Sequence, residues 1–127
     1  MKDIAELNKH NYKTSLIIDK NLVNLFIRLN ELQDAYGHDL VITSGLRSEE
    51  LQQSLISSGR THAVHSAHLS GNAADISDID KLLSQWILNH LSIIEKIGLW
   101  IESPEHTINW VHVQCYPPMS GHRVFIP

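Results

Sequence analysis

The feature that most constrains the fold is a stripe of apolar residues in the first third of the chain. These residues recur at steps of three and four, and they are Leu22, Leu25, Phe26, Leu29 and Leu32. That spacing is typical of one face of an amphipathic α-helix. The sequence therefore predicts a helix from about Asp19 to Tyr36, with Gly37 as its stop.

Short apolar segments bounded by turn residues predict the other elements. A second helix is expected from the N-cap residue Ser48 to about Ser57, and a third is expected to be capped by Asp78 or Asp80 and closed by Gly98. Strands are predicted at Leu40–Thr43, Ala73–Ile76, Leu99–Ile101, Asn109–Cys115 and Arg123–Ile126. Helices placed ahead of and between short strands favour an α+β fold.

Composition and charge narrow the possible partners. The chain has 127 residues and a formal net charge of −4, so a basic face for nucleic acid is not expected. Its length and the lack of a linker or repeat indicate a single domain over residues 1–127. The apolar region Ile79–Ile101 is broken by charged and polar residues, so we expect no membrane insertion. The single cysteine, Cys115, excludes an internal disulfide framework.

The segment from Ser66 to Asp75 carries the most chemical information. Zinc ligands lie about 2.0–2.2 Å from the metal, so His68 and Asp75 can share one ion only if the chain doubles back between them. Seven residues would otherwise span about 10 Å in a helix and more than about 20 Å in a strand. The turn-forming residues 70–72, Ser-Gly-Asn, lie at the midpoint. The spacing and the turn residues therefore agree with a shared metal ion.

A third ligand has to come from elsewhere in the chain. Trp110, His112 and Gln114 share one face of the predicted strand by its two-residue period, which makes His112 the natural candidate. Two histidines and one carboxylate, with the fourth position left to water, form a catalytic zinc pattern rather than a structural one. The alternative is that His68 and Asp75 cap local structure and that His112 forms a local hydrogen bond.

Other histidines compete for the metal, since the chain contains nine. His62 and His65 lie six and three residues before His68. Histidines are frequent in surface loops, so we expect these two to be loop residues rather than ligands.

Three motifs in this order resemble a known family. The first is Ser44-Gly-Leu-Arg-Ser48, the second contains Ser66, His68 and Asp75 with Gly71 between them, and the third is Trp110-Val-His-Val113. They resemble the D-alanyl-D-alanine carboxypeptidase and L-alanyl-D-glutamate endopeptidase superfamily, peptidase family M15-like zinc peptidases that share the hedgehog fold. The resemblance implies a small antiparallel sheet flanked by helices. It spans roughly Val41 to Gln114.

The resemblance also implies an activity and a set of site residues. It implies that His68, Asp75 and His112 bind Zn²⁺ and that the chain is a peptidase acting on peptidoglycan, as a carboxypeptidase or an endopeptidase. Its substrate would be a stem peptide or another peptide containing D-amino acids. Arg47 would hold a substrate carbonyl, a carboxylate or the developing oxyanion, for which its planar, permanently charged guanidinium is suited.

Two further residues are expected to bind substrate. Ser66 would support the site through a hydrogen bond, although it could equally be a plain turn serine. Trp110 lies two residues before His112 in its motif. For Arg47 the alternative is a helix-start residue paired with Glu49 or Glu50.

The chain departs from the family at the general base. The family usually has an acidic residue three positions before the last histidine, where this chain has Asn109. An amide has no useful basicity. We expect Glu102 to serve instead, with Glu105 and His106 as alternatives. The other reading is a metal-binding structural or binding module of a phage particle, with little or no turnover.

The N-terminal segment is polar and lacks the apolar core of a secretory signal. We therefore expect synthesis in the cytoplasm without a signal peptide, and action at the cell wall if the protein is a phage lytic or virion-associated enzyme. The sequence leaves open which bond is cleaved, the oligomeric state, and a host or phage origin.

Overall fold

The computed structural model describes residues 1–59 and 66–127, and it has the α+β class that the sequence predicts. Among these residues, 3₁₀ turns lie at Ile4–Asn8, Ala67–Ser70 and Pro104–His106. The helices are α1 (Leu16–Tyr36), α2 (Glu49–Ser57), α3 (Leu82–Leu88) and α4 (Leu91–Ile97). The strands are β1 (Ile42–Ser44), β2 (Ala73–Ser77), β3 (Trp100–Glu102), β4 (Trp110–Gln114) and β5 (Val124–Phe125).

The longest helix, α1, is defined by its two caps and by one leucine face. The Ser15 hydroxyl accepts a hydrogen bond from a main-chain amide of the first turn, so the helix begins earlier than the predicted Asp19. Gly37 ends it in a left-handed conformation (φ 83°), with its N–H donating to the Gln33 carbonyl. The buried face consists of Leu22, Leu25, Leu29 and Leu32. In residues 1–59 and 66–127, no helix has the length and apolar character needed to cross a membrane.

The strands form one sheet in the order β1–β2–β4–β3–β5. The first three pairings are antiparallel, and β5 pairs with β3 in parallel. The sheet is therefore mixed rather than wholly antiparallel. Both edges of β4 are already occupied by β2 and β3, and β5 pairs at the free edge of β3. The chain reverses direction after β4, so β5 runs antiparallel to β4 and therefore parallel to β3.

The sheet separates an apolar face from a polar face, because side chains alternate along each strand. The apolar side chains join the leucines of α1 in one core cluster, and they are Ile42, Ala74, Ile76, Ile101, Val111 and Val113. The opposite face carries polar side chains, among them Asp75, His112 and Gln114. The fold thus brings the chemically active residues to one surface of the sheet.

The predicted third helix is in fact two helices, α3 and α4, separated at Asn89 and His90. The His90 ring nitrogen Nδ1 lies 2.6 Å from the Trp86 carbonyl oxygen, which is the acceptor that the His90 amide would use in a continuous helix. That amide donates to Ile87 instead. The side chain therefore replaces the main-chain bond and breaks the helix.

The start of α3 also differs from the prediction. Lys81 occupies the N-cap position, with a left-handed φ of 66°. Asp78 and Asp80 still act from outside it, since both side chains accept hydrogen bonds from amides of the first turn of α3. Both predicted aspartates thus stabilise the helix start without being the cap residue.

Gly45 is required where the chain leaves β1. The amide of its neighbour Leu46 donates to the Leu7 carbonyl (2.8 Å), which ties this segment to the N-terminal 3₁₀ turn. A Cβ atom on residue 45 would collide with that same carbonyl group. The absent side chain therefore permits the close approach.

Because α1 packs into the core, a substitution on its buried face should lower the stability of the fold. We expect Leu29→Ala to lower the free energy of unfolding by about 2–5 kcal/mol, because it leaves a cavity at a fully buried site. Ile27→Ala lies on the same helix at a side chain that is 52% exposed, and it should change the value by less than about 0.5 kcal/mol. Urea unfolding followed by circular dichroism measures both. Equal losses would show that α1 does not bury the predicted face.

Candidate metal centre

Asp75 lies in the middle of β2, in the interior of the sheet. The strand register places it opposite Ser44 on β1 and opposite His112 on β4. Side chains of such a cross-strand pair have Cβ atoms about 4.5–5.5 Å apart. The Asp75 carboxylate and the His112 ring therefore meet on the polar face.

His68 reaches the same carboxylate from the 3₁₀ turn before β2. The Ser66 hydroxyl begins this turn by accepting a hydrogen bond from the His68 amide (3.2 Å). Gly71 ends it in a left-handed conformation (φ 76°). The chain thus reverses between His68 and Asp75, as the turn residues predict.

Three candidate ligand atoms converge at one point. Asp75 Oδ1 lies 3.2 Å from His68 Nε2 and 3.1 Å from His112 Nδ1. The ligand atoms of the three residues all lie within 4.8 Å of one another. Two ligands of a tetrahedral zinc ion, at bond lengths of about 2.0–2.1 Å, are about 3.3 Å apart. The observed spacing fits a single ion.

The His68 ring presents a lone pair to this point. Its Nδ1 lies 2.8 Å from the Gly45 carbonyl oxygen. A carbonyl oxygen can only accept, so Nδ1 carries the proton of the neutral ring. The unprotonated Nε2 is therefore the atom that faces Asp75.

The His112 ring is oriented in the same way by Gln114. The Gln114 Nε2 group donates to the Tyr116 carbonyl (3.1 Å), which fixes the amide so that its Oε1 lies 2.9 Å from His112 Nε2. In the neutral ring His112 Nε2 then carries the proton, and the Nδ1 lone pair faces Asp75. Acceptors of this kind set the orientation of histidines in metal sites.

This donor set fits a zinc ion. Two nitrogen lone pairs and a carboxylate oxygen that face one another repel unless a proton or a cation lies between them. Two nitrogens and one oxygen are ligands that zinc accepts, and three protein ligands leave a fourth position open, as in catalytic sites. His68, Asp75 and His112 could therefore hold the ion.

Burial and the close charges shift the pKa values within the cluster. Burial alone would raise the pKa of Asp75, but the imidazoles of His68 and His112 hold it well below its usual range. Burial lowers the pKa of His68. For His112 burial acts in the same direction, but the hydrogen bond and charge of Asp75 outweigh it, and the pKa is raised. The carboxylate is thus the fixed negative charge of the cluster.

Arg47 binds the other oxygen of the same carboxylate. Its Nη2 lies 3.0 Å from Asp75 Oδ2, its Nε donates to the Ser44 hydroxyl (3.2 Å), and its Nη1 donates to Gln52 Oε1 (3.3 Å). Its main-chain amide donates to the His68 carbonyl (3.1 Å). Arg47 therefore occupies Oδ2 and leaves Oδ1 to face the two histidines. The ion-pair partner of Arg47 is therefore Asp75, rather than Glu49 or Glu50.

Glu102 lies on the strand next to His112. The β3–β4 ladder pairs Ile101 with Val113, and one further step along this antiparallel register brings Glu102 opposite His112. Burial raises the pKa of Glu102 above its usual value, against the opposing charge of His112. The side chain is thus a partly desolvated carboxylate beside the cluster.

The alternative bases are placed less favourably. The side chains of Glu105 and His106 are 72% and 42% exposed and lie 3.7 Å from each other. Asn109 is exposed and lies in the turn before β4, with a left-handed φ of 75°.

Trp110 occupies the same face of β4 as His112. Its partner in the register is Ser77 on β2. The side chain is 36% exposed, so it is accessible on the same face of the sheet as the cluster. Ser66, the other residue predicted to bind substrate, has its hydroxyl bonded to the His68 amide, and this bond orients a ligand-bearing turn.

Several residues of the centre were not among the predicted site residues. Gln114 was on the predicted face of the strand, two residues after His112, and that period could have identified it. Gln52 and Gly45 act through contacts that no local pattern in the sequence announces. His62 and His65 lie outside the described residues, so the prediction about them stays a prediction.

A buried cluster of two histidines and one carboxylate, with an arginine and a glutamate beside it, has the donor set of the catalytic zinc sites of hydrolases. The sequence profile of the family described as peptidase M15 matches residues 3–114. The chain therefore belongs to this family, which confirms the resemblance carried by the three motifs. No curated protein matches the chain.

The fold is similar to the crystal structure of the Serratia marcescens L-Ala D-Glu endopeptidase ChiX, with a TM-score of 0.55 and 18% sequence identity. The match covers 89% of this chain and 92% of that one. This likeness shows the fold, and with it the expected α+β class.

The contact between Gln114 and His112 can be tested through the affinity for zinc. We expect Gln114→Leu to weaken zinc binding about 10- to 100-fold, because His112 loses the acceptor that orients its ring. Gln114→Glu keeps an acceptor for His112 but loses the donor to the Tyr116 carbonyl, so its affinity should lie between those of Gln114→Leu and the wild type. Gln53→Leu, at an exposed site on α2, is the matched control. Competition with a chelating dye measures all four proteins. An unchanged affinity in Gln114→Leu would contradict the role of Gln114 in orienting the His112 ring.

Proposed function

We propose that this protein is a zinc-dependent peptidase that hydrolyses peptide bonds of bacterial peptidoglycan, in the stem peptide or the cross-link. The supporting observation is the convergence of the ligand atoms of His68, Asp75 and His112 beside Glu102 in a chain of the peptidase M15 family. Its structural neighbour is an L-Ala D-Glu endopeptidase, which is in keeping with a peptide substrate that contains D-amino acids.

In this proposal His68, Asp75 and His112 hold the ion through the atoms that face one another. A zinc ion held there would supply Lewis acidity toward a substrate carbonyl group and toward water. The chain's own contribution is to fix the geometry: Gly45 and Gln114 hold the two rings, and Arg47 holds the carboxylate. Such outer contacts keep the open position of the site in one place.

Arg47 supplies a permanent positive charge at the edge of the cluster. Three of its nitrogens are bonded within the protein, so its guanidinium is held in one orientation. A fixed positive charge stabilises the negative charge that develops on a substrate carbonyl oxygen. Arg47 therefore both positions Asp75 and favours the transition state.

Glu102 is the proton acceptor in this proposal. It removes a proton from the attacking water and delivers it to the leaving amine. A carboxylate with a pKa raised by burial is a stronger base than an exposed one and is nearer the working pH. Trp110 and Ser66 contribute to substrate binding, Trp110 as an accessible apolar wall next to His112.

Asn109 supports a second candidate function. If the family's base cannot be replaced from β3, the chain is a zinc-binding structural or binding module with weak or no turnover, of the kind a phage particle could carry. The two candidates share the metal centre and differ in catalysis. For the peptidase we propose synthesis in the cytoplasm and action at the cell wall, as a phage lytic or virion-associated enzyme.

Zinc-dependent hydrolysis is the first test of the peptidase. Protein loaded with one equivalent of zinc is expected to release new amines from purified peptidoglycan. A chelator should abolish the release, and added zinc should restore it, because the ion polarises the carbonyl. Labelling of free amines, followed by mass analysis of the fragments, measures the rate and identifies the bond. No release at any pH between about 5 and 9 would reject the peptidase.

The role of Glu102 is the second test. Glu102→Gln should reduce kcat about 10²- to 10⁴-fold through loss of the proton acceptor, while zinc stoichiometry stays unchanged. Glu105→Gln, at the neighbouring exposed carboxylate, is the matched control and should keep activity.

Asn109→Asp separates the two candidate functions. It should change little in a protein that already uses Glu102. Activity gained by Asn109→Asp from an inactive wild type would instead support the binding module.

A further inference from the structure

A cavity of about 300 Å³ lies beside the candidate metal centre. Arg47 lines it, and so does Leu69, the residue after the ligand His68. The hydrogen bond from the Arg47 amide to the His68 carbonyl joins these two walls. The cavity is therefore built from the same segments that position the metal ligands.

The lining of this cavity combines an apolar surface with charge. Ile18, Leu46 and Leu69 contribute the apolar part. Ile18 and Leu69 are half-buried, so their accessible parts offer a surface that would cover a chain of methylene groups. Leu46 is buried and contributes little to that surface. An aliphatic side chain gains about 0.8 kcal/mol for each methylene group that it buries.

Two opposite charges, Lys13 and Glu49, also line the cavity. Both are exposed. Within residues 1–59 and 66–127, neither forms an ion pair with the other or with a third residue. Glu49 is held in the first turn of α2, which the Ser48 hydroxyl caps. A cation and an anion that share a cavity without pairing suit a ligand that carries both charges.

We propose that this cavity is a substrate subsite for a residue whose aliphatic side chain ends in both an ammonium and a carboxylate group. Lys13 binds the carboxylate, Glu49 binds the ammonium, and the apolar surface covers the methylene chain. The inference rests on the proposed peptidase function. Diaminopimelate, a residue of many peptidoglycan stem peptides, has this chemistry.

The subsite is tested with four stem tripeptides that differ only in the third residue. That residue is diaminopimelate (both charges), lysine (ammonium alone), 2-aminopimelate (carboxylate alone) or norleucine (neither). We expect each charge to raise kcat/KM about fivefold, the upper range for a solvent-accessible ion pair. Wherever a peptide is not turned over, its Kd for the zinc-loaded protein is measured, and the same ratios are expected.

Two variants assign the charges. Lys13→Met should remove the preference for diaminopimelate over lysine, and Glu49→Gln should remove the preference for diaminopimelate over 2-aminopimelate. The matched controls are Lys20→Met on α1 and Glu50→Gln, which is exposed in the same helix turn as Glu49. Both controls should keep the wild-type ratios.

The outcomes separate the two proposals. If peptides are hydrolysed but the four rates are equal, or if neither variant alters the ratios, the subsite is rejected and the peptidase stands. If no peptide is hydrolysed, the peptidase fails, and the Kd ratios alone decide the subsite. Equal Kd values, or binding of none of the four peptides, reject the subsite as well.

Discussion

The carboxylate of Asp75 is the interaction on which the rest of the site depends. Its two oxygens serve different partners: Oδ1 faces His68 and His112, and Oδ2 binds Arg47. Its strand lies between β1 and β4, so this one side chain joins the sheet to the loop before α2 and to the turn before β2. A buried charge is stable only when it is paired and hydrogen-bonded. The pairing therefore constrains all three segments at once.

How far the sequence predicts the fold depends on whether a signal is local. The helix α1 and the N-cap Ser48 follow from side-chain spacing and capping chemistry, and both were predicted. The break at His90 was not predicted. It arises because the His90 ring nitrogen bonds to the Trp86 carbonyl, which would accept from the His90 amide in a continuous helix. The parallel pairing of β5 was not predicted either, since it depends on which strand is β5's neighbour in the sheet order.

The same distinction applies to the site. His68, Asp75 and His112 were predicted from spacing, a turn and a strand period, and the structure brings them together. The acceptors that determine which ring nitrogen carries the proton can lie far away in the sequence. For His68 this acceptor is the carbonyl of Gly45, 23 residues earlier. Without a known strand register, no pattern in the sequence indicates that these groups meet. Gln114 is the exception, because a strand places alternate residues on one face.

The place of Glu102 shows that nearness in space does not follow from nearness in the sequence. Asn109, three residues before His112, lies in the turn before β4 with a left-handed φ of 75°. Directly opposite residues on paired strands are only about 4.5–5.5 Å apart at Cβ, and the β3–β4 register gives Glu102 that relation to His112. A carboxylate on β3 can therefore serve the cluster without any change in β4. In our proposal the neighbouring strand supplies the carboxylate that position 109 lacks, because the β3–β4 register holds Glu102 and His112 at the same level.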